Sequence, residues 1–402
     1  MRVAWLITLL LDLPVQESAA PAPPAAAGPV GATDLPLVIQ GLRPPVERDD
    51  PGRAARLAAQ GDELATLLAA MEAHGQEEAW IADAKRRYQE WDAAHPGEPG
   101  YVTAGEWTLT TALLRAISLA SAPKTSGVFA PKEDGTFNLL LTLVDLDRQF
   151  AARGIDFLVV SVPSKLSIHP EITLPDLPAA GFAGMGATVA RHLLNASRAG
   201  VETLSLTPAF VAARGAAPIE PLYLKSDPHW TVRGTELAAE QVAARLRAYP
   251  WFKPGPLKEG RQFRVREGEV KYTAGTELSS KGARDEVMQG RAVLVAARTS
   301  TGDEPFEAVD DKSPILVFGD SYTRVHHEQG ADFVSHLARA IGRRIDCVYA
   351  ANGGQREVRQ KLARRDLEAW KGKRLVIWLL PDQLAIAPIR VEPLELFAGD
   401  GG

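Results

Sequence analysis

From residue 138 onward, the hydrophobic pattern of the chain alternates between helical and extended periods. Residues 139–153 carry apolar side chains at helical spacing up to Gly154, and residues 155–162 form an apolar run that Pro163 ends. Later segments repeat this alternation, with helices predicted at 187–199, 234–248, 333–341 and 355–370 and strands at 201–206, 315–318, 345–349 and 375–380. Such repeats predict an α/β fold of three layers, in which helices cover both faces of a doubly wound, mostly parallel sheet.

The region before this α/β domain, which we place at 138–390, has a different character. Apolar side chains recur at helical spacing between residues 51 and 94 and predict a helical hairpin, and a further helix is predicted at 108–119. We therefore interpret residues 32–137 as a helical accessory region that braces the main domain or binds a partner.

Two later segments lack the α/β rhythm. Residues 250–313 are rich in Gly, Arg and Glu, and only 263–265 and 292–296 have the composition of short strands. We expect an irregular insertion there, and residues 391–402 form a tail after the last predicted strand.

The N-terminal residues 1–31 have the features of a targeting segment. Arg2 precedes an apolar run at 3–11 that is too short to span a bilayer but long enough for a secretory signal, and a linker rich in Ala and Pro follows at 19–31. This pattern predicts a periplasmic or otherwise exported protein, with residues 1–31 serving as a signal peptide or as an inner-membrane anchor. A mis-assigned start codon or a disordered cytoplasmic leader is the alternative.

Composition narrows the possible functions. The chain has 402 residues, 46% of them hydrophobic and 24% charged, which is typical of a large globular core. Its net charge of −5 and the absence of a basic cluster with interleaved aromatic residues argue against nucleic-acid binding. Cys347 is the only cysteine, so an intramolecular disulfide is impossible, and no His and Cys spacing suggests a metal. We expect neither a metal nor another cofactor.

A candidate nucleophile follows one of the predicted strands. The apolar run 315–318 ends at Gly319, and Asp320 and Ser321 come next. Ser321 would lie at the carboxyl end of a parallel strand, where open α/β sheets bind ligands. A helix that begins after the turn would direct free N–H groups at an anion. The alternative is a loop serine that caps the next helix.

A candidate acid and base lie about 90 residues earlier. Pro228 favours an extended backbone at Asp227, so Asp227 and His229 can project towards one cleft. His229 would take the proton of the Ser321 hydroxyl while Asp227 orients and stabilises the imidazole. The alternative is a surface loop in which Trp230 packs on the core and His229 is merely solvated.

Further candidates surround this predicted site. Asn352 and Gly353 follow the strand at 345–349, so an amide side chain or backbone N–H groups there could complete an oxyanion hole, although a simple turn is equally consistent. Tyr322 follows the nucleophile directly and is a candidate substrate contact. Lys165 could bind an anionic sugar, although a loop lysine is usually just exposed.

These motifs together resemble those of the SGNH hydrolase-like family of alginate O-acetyltransferases. The chain has Gly-Asp-Ser-Tyr at 319–322 and Asp-Pro-His-Trp at 227–230, and this order is the permuted one of that family, since ordinary GDSL esterases carry the serine block first. Pro-Ser-Lys at 163–165 and His-Pro-Glu at 169–171 are similar to two further family segments. The resemblance covers about residues 138–385, whereas the early Gly-Lys-Asp-Gly-Trp-Leu signature is reduced to Ala-Gly-Glu-Trp at 104–107.

The resemblance implies an SGNH hydrolase-like fold and a function. It makes Ser321 the nucleophile, His229 the base and Asp227 the orienting acid, and it implies acetyl transfer through an acyl-serine. It also implies a polysaccharide acceptor outside the cytoplasm and a membrane-bound acyltransferase that supplies the acetyl group.

Two alternatives to an O-acetyltransferase remain open. A carbohydrate acetyl esterase would use the same three residues, because only the group that attacks the acyl-enzyme differs. A non-catalytic glycan-binding scaffold would instead use exposed tryptophans, for which Trp107, Trp230, Trp251 and Trp370 are the candidates.

Overall fold

The computed structural model of the chain describes residues 37–48, 50–96, 100–119, 127–133, 135, 137–172, 183–214, 221–254, 261–275, 283–297, 304–305, 308–351, 354–383 and 391–397. The strands are β1 (Leu37–Ile39), β2 (Tyr101–Ala104), β3 (Trp107–Thr110), β4 (Gly127–Phe129), β5 (Asp156–Val162), β6 (Glu202–Ser205), β7 (Arg261–Tyr272), β8 (Glu286–Ala297), β9 (Glu304–Pro305), β10 (Ile315–Gly319), β11 (Asp346–Tyr349) and β12 (Leu375–Pro381). The α-helices are α1 (Arg53–His74), α2 (Glu77–Ala94), α3 (Thr111–Ser118), α4 (Leu139–Ala151), α5 (Lys165–Ile168), α6 (Gly186–Arg198), α7 (Thr207–Arg214), α8 (Val232–Leu246), α9 (Phe333–Ile341) and α10 (Gly354–Ala363).

A five-stranded parallel sheet forms the centre of the fold. Its strand order is β11-β10-β12-β5-β6, and every neighbouring pair is parallel. The apolar runs that predicted these strands are buried on both faces, as parallel sheets require. The predicted doubly wound α/β architecture is confirmed.

The two faces of the sheet support separate hydrophobic cores. Val317 and Ile377 point to one face, where they pack with side chains of α8 and α9. Phe318 and Trp378, each one residue later, point to the other face and pack with α4 and α10. This alternation follows from the two-residue period of a strand, and it gives the three layers expected from the sequence.

The predicted N-terminal helices are present, but each packs on a different partner. Helix α1 lies against α6, and α2 lies against α3. A buried ion pair attaches α1 to the sheet, because Arg56 binds Glu202 of β6 at 2.8 Å. Asp50, just before α1, binds the same guanidinium at 2.6 Å. The two predicted helices therefore have different partners, since α1 packs on the α/β domain and α2 packs on α3 within the accessory region. The bracing role of this region stays an interpretation.

The segment at 250–313 is more regular than its composition indicates. Strands β7 and β8 pair antiparallel over their full length, from Arg261 opposite Ala297 to Tyr272 opposite Glu286, and β9 adds a short third strand. The two predicted strand candidates are only parts of these strands. The sequence of β7 and β8 is polar and contains Gly, so it gives little strand signal. The two strands are stabilised by pairing with each other and by contacts with the main domain.

Two predicted helices are interrupted. The segment at 108–119 begins as strand β3, and the Thr110 side chain then caps α3 by accepting a hydrogen bond from the Leu113 N–H at 3.3 Å. The segment at 355–370 becomes α10 and a separate 3-10 turn at Leu367–Trp370, because Asp366 has an extended backbone.

Residues 1–31 lie outside the described part of the chain, and none of the described helices is both long and apolar enough to span a bilayer.

Two helical glycines provide a test of packing around α8. A Cβ atom on Gly234 would lie 2.4 Å from the Leu222 carbonyl oxygen and 2.9 Å from Trp230 Cβ, whereas a Cβ on Gly61 in α1 meets nothing within 4 Å. We expect Gly234→Ala to lower the free energy of unfolding by about 1–3 kcal/mol through overpacking. Gly61→Ala should raise it by about 0.5–1 kcal/mol through helix propensity. Urea unfolding of both variants measures the contrast, and equal effects would contradict this packing.

Candidate active site

Ser321 lies at the carboxyl edge of the central sheet. It directly follows Asp320 at the end of β10, which is flanked by β11 and β12, and it opens a 3-10 turn at Ser321–Thr323. The Asp320 carboxylate caps this turn by accepting a hydrogen bond from the Tyr322 N–H at 3.1 Å. The predicted helix start is thus only a single turn, whose dipole is weaker and one of whose N–H groups is already bonded.

Asp227 and His229 occupy a loop that enters α8. The loop is closed by a bridge between Tyr223 and Trp230, and the Leu224 N–H donates to the His229 carbonyl at 3.0 Å. Trp230 is fully buried, as the alternative interpretation of this segment expected. His229 is nevertheless not a solvated side chain, because it is buried as well.

The structure brings Asp227, His229 and Ser321 together in one hydrogen-bonded chain. Asp227 Oδ1 bonds His229 Nδ1 at short range and accepts the His229 backbone N–H at 3.0 Å. His229 Nε2 lies 2.6 Å from Ser321 Oγ. Since a carboxylate only accepts, Nδ1 donates and Nε2 is left to accept the serine proton. Asp227, at one end of this series of hydrogen bonds, is buried, and Ser321, at the other end, is partly exposed to solvent.

Tyr322 packs against the imidazole. Its ring centroid lies 4.8 Å from that of His229 and 5.3 Å, edge-on, from that of Trp230. Its hydroxyl donates to the Pro228 carbonyl at 2.7 Å, and burial raises the pKa of Tyr322 well above its ordinary value. These contacts make Tyr322 part of the support for the Asp227–His229 loop, while its contact with a substrate stays a prediction.

Lys165 is buried rather than exposed on a loop. It begins α5, is 1% exposed, and donates through Nζ to the carbonyls of Thr108 and Lys225, each at 3.1 Å. Burial lowers the pKa of Lys165 to about 8, although the carboxylates of Asp227 and Glu286 act in the opposite direction. Its ammonium is therefore directed at backbone oxygens inside the protein, not at solvent where a sugar would bind.

Asn352 and Gly353 lie outside the described residues, so the predicted oxyanion hole remains a prediction. The preceding strand β11 does end at the same edge of the sheet as β10, because the two strands are parallel and Gly319 pairs with Tyr349.

Glu286 is a neighbour of the site that the sequence did not reveal. Its carboxylate accepts hydrogen bonds from the Lys225 N–H at 2.9 Å, the Ser226 N–H at 2.7 Å and the Ser226 hydroxyl at 2.6 Å. These contacts join strand β8 to the loop that carries Asp227. No sequence signal identifies Glu286, because it lies 60 residues from Ser226 in a segment without recognisable periodicity.

A second buried imidazole supports the loop from the other side. His326 has a left-handed backbone with φ of 70°, and its Nε2 donates to the Trp230 carbonyl at 3.2 Å. Burial lowers the pKa of His326 to about 4, so the ring is neutral at physiological pH. His326 therefore holds the position of Trp230 without adding a positive charge next to His229.

Two side chains, Gln355 and Trp378, hold Asp320 in place through hydrogen bonds. Gln355 Nε2 donates to Asp320 Oδ2 at 3.1 Å, and Trp378 Nε1 donates to Gln355 Oε1 at 2.6 Å. Desolvation raises the pKa of Asp320, although His229 and the hydrogen bonds to its carboxylate lower it. This chain of hydrogen bonds fixes the turn that starts at Ser321.

Cys347 is partly buried against the core on one face of the sheet, and burial raises the pKa of its thiol to about 12. Within the described ranges, no group of three or more His, Cys, Asp or Glu side chains is placed to hold a metal ion.

The bond between Tyr322 and Pro228 yields a stability prediction. We expect Tyr322→Phe to lower the free energy of unfolding by about 1–2 kcal/mol, because the part-buried Pro228 carbonyl loses its donor. Tyr88→Phe, on the partly exposed face of α2, serves as the control and should change it by less than about 0.5 kcal/mol. Thermal and urea unfolding measure both, and an unchanged Tyr322→Phe protein would show that this bond adds no stability.

Comparison with protein families gives one match. The family profile described as the SGNH hydrolase-like domain of the acetyltransferase AlgX matches residues 125–382. This range contains the Asp227–His229 loop, the Ser321 turn and the whole central sheet. No curated protein sequence matches the chain.

Solved structures that are similar to this chain are distant from it in sequence. The O-acetyltransferase domain of Pseudomonas putida AlgJ has 16% identity and a TM-score of 0.50, and the match covers 73% of this chain and 94% of that one. Pseudomonas aeruginosa AlgX has 19% identity and a TM-score of 0.47, with coverage of 70% and 61%. Bacillus cereus PatB1 has 13% identity and a TM-score of 0.40, with coverage of 72% and 98%. At these identities, the similarity to the AlgJ domain supports the fold alone.

Proposed function

The chain belongs to the family of SGNH hydrolase-like acetyltransferase domains, and on that premise we propose that it is a serine-dependent O-acetyltransferase that modifies a polysaccharide. The observation that carries the proposal is the hydrogen-bonded chain of Asp227, His229 and Ser321 at the carboxyl edge of the sheet. Acid, base and nucleophile are in contact, and the nucleophile is the member that reaches solvent.

In the first half of the proposed reaction, the acetyl group moves to the enzyme. Ser321 Oγ attacks the acetyl carbonyl while His229 Nε2 takes its proton, and Asp227 stabilises the imidazolium. The tetrahedral intermediate collapses as the bond to the leaving group breaks, and His229 returns the proton to that group. The product is an ester between the acetyl group and Ser321.

In the second half, a sugar hydroxyl replaces the leaving group. His229 accepts its proton as the hydroxyl oxygen attacks the acetyl-serine carbonyl. Collapse of this intermediate breaks the bond to Ser321 Oγ, which is reprotonated by His229. The acetyl group ends on the sugar, and the enzyme returns to its initial protonation state.

The acceptor, the donor and the location are carried over from the family resemblance. We propose an exported polysaccharide as acceptor, a membrane-bound acyltransferase as the source of acetyl groups, and a periplasmic or exported location. These proposals are consistent with the net charge of −5, which does not favour nucleic acid, and with the signal-like pattern at residues 1–31.

An esterase is the second candidate, and the partial exposure of Ser321 favours it, since water can reach an acyl-serine there. The scaffold alternative has less support. Trp230 and Trp370 are buried in the cores, so two of its four proposed stacking platforms are not available to a glycan.

The test measures serine-dependent transfer with the full chain. Purified protein is incubated with a chromogenic acetyl ester, with and without oligosaccharide acceptors, and both acetate and product mass are followed. We expect acetylated sugar with the native protein and a loss of at least about 10³-fold with Ser321→Ala. Ser118→Ala is the control, because the Ser118 hydroxyl donates to the Arg115 carbonyl at the end of α3 and has no role in the proposed reaction.

Each outcome distinguishes between the candidates. Ser321-dependent acetate release without modified sugar would favour the esterase. Turnover that persists in Ser321→Ala would refute the proposed nucleophile, and native protein without turnover would favour the scaffold.

A further inference from the structure

The peptide unit between Lys225 and Ser226, here called the clamped peptide, is held between two opposite charges. The Lys165 ammonium donates to its carbonyl oxygen at 3.1 Å. The Glu286 carboxylate accepts from its N–H at 2.7 Å, and also from the Lys225 N–H and the Ser226 hydroxyl. Both polar ends of the same peptide therefore bind a charged side chain.

This arrangement matches the dipole of the peptide. The carbonyl oxygen carries the negative end and faces the cation, while the N–H carries the positive end and faces the anion. Hydrogen bonds to charged groups are also stronger than bonds between neutral groups. Rotation of the clamped peptide would break both, so its orientation is fixed.

The Lys165 side of the clamp is costly to build. An ammonium buried to this extent loses its hydration, and among the described residues two carbonyl oxygens accept its hydrogen bonds. The helix that carries Lys165 is itself anchored, because Ser164 caps it and the Ser167 hydroxyl donates to Asp382 at 2.7 Å. Asp382 follows β12, which pairs with β10, the strand that precedes Ser321.

The clamped peptide directly precedes Asp227. Its orientation sets the direction in which the backbone enters Asp227, and thus the position of the carboxylate that bonds His229. We propose that Lys165 and Glu286 are positioning residues, which hold the clamped peptide so that Asp227 keeps His229 aligned with Ser321. This role deepens the proposed acyl transfer and rests on it.

The kinetic test compares Lys165→Met and Glu286→Gln with the native protein. Each variant removes one charge from the clamp and leaves Asp227, His229 and Ser321 unchanged. We expect kcat to fall about 10- to 100-fold, because small misplacements of catalytic groups are that costly, while KM changes less than about 2-fold. A substrate-binding role for Lys165 would instead raise KM.

Two exposed carboxylates near the clamped peptide provide matched controls. Glu106→Gln removes the exposed ion pair with the Lys225 side chain, and Asp285→Asn removes an exposed carboxylate next to Glu286. Neither touches the clamped peptide, so both should keep kcat within about 2-fold. A loss in these controls equal to that in the clamp variants would overturn the proposal.

The pH profile provides a second readout. The charged groups that act on Lys165 are Asp227 and Glu286, and the Trp107 ring lies 5.4 Å from its Nζ. Because burial lowers the pKa of Lys165 to about 8, the native kcat should decline above that pH as the ammonium loses its proton. Lys165→Met should lack this decline, whereas Glu286→Gln should keep it at a lower pH, since the remaining carboxylate opposes the shift less.

A third readout does not depend on acetyl transfer. The rate at which a sulfonyl fluoride modifies Ser321 reports the activation of this hydroxyl by His229, and circular dichroism checks that each variant is folded. We expect this rate to fall about 10-fold or more in folded Lys165→Met or Glu286→Gln. Folded clamp variants that react as fast as the native protein would overturn the proposal, even if acetyl transfer is established. Native protein that is modified at Ser321 but acetylates no sugar would contradict only the proposed function.

Discussion

The site depends on one hydrogen bond, between His229 Nε2 and Ser321 Oγ. It joins residues 92 positions apart in the chain, so neither local segment can form it alone. The sheet places Ser321 at its carboxyl edge, after β10, and the loop that enters α8 brings His229 to the same edge. The packing of Tyr322 on His229 and its bond to Pro228 then hold the two segments in contact.

The β7–β8 ribbon links these segments a second time. Glu286 binds the loop before Asp227, while the Val293 N–H donates to the Gly330 carbonyl beyond the serine turn. Gly290 makes close contact with Val232 at the start of α8, where a Cβ would lie 2.7 Å from a Val232 methyl group. What looks like an insertion thus touches both halves of the candidate site, and its removal would free both.

Most of the α/β frame could be predicted because its signals are local. The runs that became β5, β10 and β12 are continuous apolar segments ended by Gly or Pro, and α9 begins and ends where its pattern predicts. The β7–β8 ribbon was missed because its strands are polar on exposed positions and are stabilised by pairing across the hairpin. The burial of Lys165, a candidate for binding an anionic sugar, has no local signal for a similar reason: the carbonyls of Thr108 and Lys225 that accept from its ammonium lie 57 and 60 residues away.

The sequence by itself determined the fold class, the family resemblance and the three residues that meet at the sheet edge, since each rests on side-chain chemistry and spacing within short segments. Only the tertiary structure decided how these residues are supported. The clamp by Lys165 and Glu286, the neutral His326 behind Trp230 and the attachment of α1 through Arg56 are all contacts between distant segments. These contacts form only when the folded chain brings distant segments together, so no short stretch of sequence predicts them.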